Sequence, residues 1–199
     1  MLWVEADKMM YYTNKNPQWL SILAPEEFNN EELFRIVIFY VFHSPCEGLS
    51  AMGKTLSSYG WNTPWSKPFY LNKQLKASTS NFEILFSADK YGTMSEALEK
   101  AELTDDFPSD LGRERICFYN NQKNQFMSVF YHIRNAFAHG RLNIFDVNGD
   151  CTFVLEDVNS RMKDSNGNIA VSARMILKKQ TLLSWIDIIE NGETAYNKQ

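Results

Sequence analysis

The stretch Phe126–Asp146, FMSVFYHIRNAFAHGRLNIFD, decides the reading of this chain, because helical periodicity and chemically capable side chains coincide in it. At about 100° per residue, Phe130, Ile133 and Phe137 fall within about 40° of Phe126 and form one apolar stripe. Tyr131, Asn135 and His139 follow one another on the opposite side, and Arg134 lies on the flank between the two faces. Gly140 suits a left-handed cap directly after the helix, which puts His139 in the last turn. Alone, a histidine there reads as a cap stabilised by the helix dipole. Arg134 has Phe130, Tyr131, Phe137 and Ala138 at its helical neighbour positions and so no carboxylate to pair with. Asn135 is mildly unfavourable in mid-helix, since its amide competes with the backbone. The set together points to chemistry more than to packing.

The run Arg134-Asn135-Ala136-Phe137-Ala138-His139 resembles the R-[N/D/H]-x-x-x-H signature of HEPN domains, which lies near the C-terminal end of a long helix. That family comprises all-α bundles found in prokaryotic toxins, phage-defence proteins and CRISPR-associated effectors. The resemblance covers six residues and their helical context. It implies a mainly α fold, an up-and-down helical bundle, to which the residues after the motif add a small appended β-hairpin or sheet. It also implies a metal-independent endoribonuclease whose site is shared across a homodimer, with products ending in a 2′,3′-cyclic phosphate and a 5′-hydroxyl. Some members are silenced by an enzyme that adenylylates a tyrosine two positions past the motif histidine. Arg141 stands there in this chain, so an antitoxin or regulatory protein of another kind is the expectation if one exists.

The residue types fit that chemistry on their own terms. RNA cleavage without metal needs a base for the 2′-hydroxyl, an acid for the departing 5′-oxygen and a cation for the phosphorane. Histidine takes either proton-transfer role near neutral pH, and arginine offers phosphate a permanent planar fork. His139 is thus the proton-transfer residue, Arg134 the charge stabiliser, and Asn135 the residue that orients the imidazole or holds a phosphate oxygen. Tyr131, Lys123 and Arg141 are candidates for contacting single-stranded RNA, and His43 and Glu47 for supporting the site from a neighbouring helix. One helix supplies only one acid–base group, which is why a two-fold dimer is expected. The alternative is a non-catalytic module that binds RNA, a nucleotide or a protein partner.

Composition bounds these readings. The 199 residues, 44% hydrophobic and 14% aromatic, suffice for one domain with a real core, read as a bundle over 1–142 and a hairpin with a C-terminal helix over 143–192. No apolar run approaches the ~20 residues of a membrane span, and no signal peptide opens the chain, so a cytoplasmic protein is expected. Cys46, Cys117 and Cys151 form no C-x-x-C pair, no nucleotide-binding glycine loop is present, and neither metal nor cofactor is expected. The net charge of −4 argues against coating nucleic acid, yet Leu111–Phe145 carries Arg113, Arg115, Lys123, Arg134 and Arg141 against Glu114 alone.

Elsewhere, the pattern predicts one or two short helices before Glu27, then a helix from Asn29 or Asn30 to about Leu56 kinked by Pro45. Trp61–Ser80 reads as an irregular aromatic connection whose Lys67, Lys73 and Lys76 interleave with Trp65, Phe69 and Tyr70. Thr93–Glu96 reads as a capping box for a helix to about Leu103, and the motif helix begins between Ser109 and Asn121. Period-two runs flanking Asn148-Gly149 predict a hairpin with a type I′ turn, and Ile169–Leu177 a further strand. Thr181 caps a last helix that Gly192 stops.

Overall fold

In the computed structural model, which describes residues 10–14, 30–46, 52–64, 70–79, 85–104 and 110–196, the motif helix lies on a sheet and not in a bundle. The helical elements are α1 (Asn30–Ile38), continued as a π-helix over Phe39–His43, then α2 (Tyr70–Ala77), α3 (Met94–Lys100), α4 (Gln125–Ala138) and α5 (Lys179–Asn191). The strands are β1 (Tyr12–Thr13), β2 (Leu85–Ala88), β3 (Arg115–Tyr119), β4 (Leu142–Val147), β5 (Asp150–Lys163) and β6 (Ile169–Lys178). They form one six-stranded sheet in the order β2-β3-β6-β5-β4, with β1 also paired to β6. Only β2 and β3 run parallel; the other pairings are antiparallel.

The mainly α bundle expected from the sequence is therefore corrected to a mixed α/β architecture. The overturning elements are β2 and β3. Four of the five residues of β3 are buried, so the strand shows none of the polar alternation that marks a half-exposed strand. The hairpin over β4 and β5 forms around Asn148 and Gly149, both at positive φ as a type I′ turn requires.

Alternation along β5 sorts the core into two layers. Phe153 and Leu155 join α1, α4 and α5 in one cluster, while Val154 joins Ile176 of β6 and Met94, Ala97 and Leu98 of α3 in the other. Trp185 of α5 stands edge-on to Phe126 and Phe130 of α4, with centroids 5.6 and 5.8 Å apart, which locks the motif helix to its neighbour. Next on the α4 side after Leu155 comes Asp157, at a register shift between Asp157 and Val158. Such a bulge re-aims a side chain, here toward the motif helix.

Several local expectations change. The first helix leaves helical geometry at Ser44, one residue before Pro45, because a residue preceding proline is driven extended. Leu56 instead starts a 3₁₀ turn over Leu56–Tyr59 capped by Thr55, and Met52 is exposed. Part of the Trp61–Ser80 connection is helix α2, since Leu71 and Leu75 bury against the core; Trp65, Lys67 and Phe69 lie outside the described residues. Tyr12 and Thr13 are strand and not helix, and most of the segment before Glu27 lies outside the described residues. Thr93 makes no cap, its hydroxyl donating to Lys90 O at 2.9 Å. The motif helix starts at Gln125 behind an Asn124 cap, because β3 occupies the preceding segment. Thr181 lies buried inside α5, whose cap position is Lys178.

Candidate functional site

Arg134, Asn135 and His139 occupy the C-terminal half of α4 and its cap. His139 is exposed, its backbone N–H closes on Asn135 O at 2.9 Å, and its imidazole forms no hydrogen bond or ion pair with the described residues. Gly140 follows at φ 65°. Arg134 is half-buried. Its Nη1 donates to Asn135 Oδ1 at 3.0 Å, and among the described residues its buried Nε has no hydrogen-bond partner and no carboxylate pairs with it. A guanidinium held by an amide and lacking an anion suits a ligand oxygen.

Asn135 does not reach His139. Its Nδ2 donates to Asp157 Oδ2 at 3.3 Å, so the amide bridges α4 to β5. Beneath it lies a pair that the sequence reading passed over. His132 Nδ1 lies 2.6 Å from the same Oδ2, and His132 Nε2 lies 2.8 Å from Tyr119 O at the end of β3. Both residues are almost sealed, at 1% and 5% exposure of their side chains. Asp157 Oδ1 accepts from Val158 N at 3.0 Å. At about 100° per residue His132 lies about 120° from Phe126, on the side of Asn135 and His139, and nothing near it in the sequence announces a partner; the signal for Asp157 was an acidic residue inside an apolar strand.

The remaining candidates scatter. Tyr131 is half-buried, its ring edge-on to His132 at 5.2 Å. Arg141 is taken by buried Glu156, which Arg174 Nε also engages at 2.8 Å. Lys123 precedes the other end of α4, about 14 Å of helix away from Arg134, beside a groove of about 660 Å³ lined by Thr55, Ser57, Trp61 and Met127. His43 ends the π-helix; its carbonyl accepts from Tyr59 at 2.7 Å and its imidazole has no hydrogen-bond partner among the described residues. Glu47 lies outside the described residues.

The basic stretch is largely neutralised from within. Arg113 pairs with Glu102, and Arg115 is buried against Glu102 and the Asp110 carbonyl. Arg134 and Lys123 are the cations of that stretch that form no ion pair with the described residues. Arg134 also acts on the neighbouring segment: burial pushes the Cys46 thiol up to about 11, while a hydrogen bond from Ser44 and the Arg134 charge oppose the rise.

Among the described residues no three His, Cys, Asp or Glu side chains gather as a metal site, and no helix is long and apolar enough to cross a membrane. No family model, curated protein or solved structure matches the chain.

Proposed function

We propose that this protein is a metal-independent endoribonuclease that cleaves single-stranded RNA by attack of the 2′-hydroxyl, in a site composed by two copies of the chain. One observation carries the reading: Arg134 is a partly buried cation that pairs with no carboxylate among the described residues, held by Asn135 on the helix that ends at exposed His139, whose imidazole forms no hydrogen bond or ion pair with those residues. Arg134 binds the scissile phosphate and stabilises its added charge; His139 moves the proton. The resemblance of Arg134-Asn135-Ala136-Phe137-Ala138-His139 to the HEPN signature supports the same roles, independently of the bundle that this chain does not form.

The dimer follows from the count of proton-transfer groups. His132 is sealed, so on this helix only His139 faces solvent, and cleavage needs both an acid and a base. A second His139 from a two-fold partner completes the pair. A toxin or phage-defence role is the setting in which such an RNA-cutting activity fits.

The same count supports a second reading, a module that binds RNA without cutting it, since one chain alone carries an incomplete acid–base set. Incubation of the purified protein with single-stranded RNA in EDTA separates the two. Cleavage products ending in a 2′,3′-cyclic phosphate, and no cleavage at a 2′-deoxy position, support the nuclease; binding without products supports the module.

A further inference from the structure

We propose that the buried His132–Asp157 pair is a positioning device for Arg134, acting through the Asn135 amide; this rests on the reading of Arg134 as the phosphate ligand. His132 meets an acceptor at each ring nitrogen, the Asp157 carboxylate at 2.6 Å and the Tyr119 carbonyl at 2.8 Å. The Tyr119 carbonyl can only accept, so Nε2 donates to it, and a hydrogen bond between Nδ1 and Oδ2 requires one proton shared between them; a pair bonded in this way is neutral as a whole. That neutrality permits its burial.

Asp157 thereby presents an acceptor and no donor to Asn135, and this fixes which way the amide points. Its Nδ2 turns inward to Asp157 Oδ2, so its Oδ1 turns outward to Arg134 Nη1. The flipped amide would set oxygen against carboxylate and N–H₂ against guanidinium, two repulsions in place of two hydrogen bonds. The chain of contacts thus runs from the end of β3 through β5 to the guanidinium. It is the sheet that aims Arg134.

The test uses the full-length protein and does not depend on RNA alone. Asp157→Asn keeps the shape but places an N–H₂ where either Val158 N–H or the Asn135 amide needs an acceptor. Asn135→Ala, at a half-exposed position, removes the same link and leaves both His132 and Asp157 in place. NMR relaxation at the arginine Nε–H groups reads side-chain order, with buried Arg174 as the internal reference. The expected result is that Arg134 is rigid in the wild type and mobile in both variants while Arg174 stays rigid. RNA cleavage should fall on the order of 10–100-fold, as for a misplaced catalytic group. In an Arg134→Ala background Asp157→Asn should then cost nothing further.

Unchanged Arg134 order in Asn135→Ala, or an Asp157→Asn loss that persists in the Arg134→Ala background, overturns the proposal. Wild-type protein inert toward RNA, with Arg134 order still lost in the variants, defeats the nuclease reading and leaves the positioning device standing.

Discussion

Glu156 of β5 and Arg174 of β6 face each other directly in register, with Arg174 Nε donating to Glu156 Oε2 at 2.8 Å, and both side chains are buried on the α3 side of the sheet. Glu156 also accepts from Arg141, while Arg174 Nη1 reaches Leu103 O at 2.8 Å and stacks over the Tyr11 ring at 4.7 Å. Opposite in place to the Asp157 pair, this network ties β5 and β6 to Arg141, just before β4, and to Leu103, just past α3.

Glu156→Ala should therefore unfold the protein more readily than most single substitutions. Removing the carboxylate leaves the Arg174 charge buried without its anion, and breaking a buried pair from one side costs about 3–5 kcal/mol. Chemical denaturation should show a loss of that size. A loss below about 1 kcal/mol, the range of exposed pairs, would show the network to be ornamental.

Gly192 ends α5 at φ 72°, where an added Cβ would sit 2.4 Å from the carbonyl oxygen of Tyr59. Gly192→Ala should destabilise the protein by roughly 1–3 kcal/mol from backbone strain alone, with the clash adding to it. The thermal midpoint should fall accordingly, and Gly167→Ala, also at positive φ but with open space around it, should fall less.

The buried thiols predict an alkaline limit. Burial raises Cys46 to about 11 and Cys117 to about 12 from an ordinary 9.0. Folded thiols then hold protons that unfolded ones release, so their stabilising contribution is complete below pH 9 and is lost as pH rises through 9 to 11 and beyond. Each adds a slope approaching 1.4 kcal/mol per pH unit there. Half-buried Cys151 should react with a thiol reagent in the native protein, and Cys46 and Cys117 only upon unfolding. Prompt labelling of all three at neutral pH would contradict this burial.

What the sequence disclosed and concealed has one physical cause. The β4–β5 hairpin, β6 and the face of α4 were legible from period-two runs, the Asn148-Gly149 turn and the helical stripe. Buried β3 and the short β2 carry no such signal, and overlooking them turned a sheet into a bundle. Within the site, Arg134 and His139 stood out by their unmatched charge and position. His132 did not, because its partner lies 25 residues away on β5 and nothing local in the sequence announces it. The cluster of arginines misled for the same reason: Glu102 and Glu156, distant in sequence, neutralise Arg113 and Arg141.

The central claim is that His139 and Arg134 cut RNA, and its most direct test compares initial rates of single-stranded RNA cleavage in EDTA for wild type and His139→Ala at equal folded concentration. The exposed imidazole forms no hydrogen bond or ion pair with the described residues, so His139→Ala should melt within about 0.5 kcal/mol of wild type. Its cleavage rate should be lower by about 10²–10⁴-fold, the worth of a positioned proton-transfer group. Cleavage by His139→Ala at the wild-type rate would contradict the account.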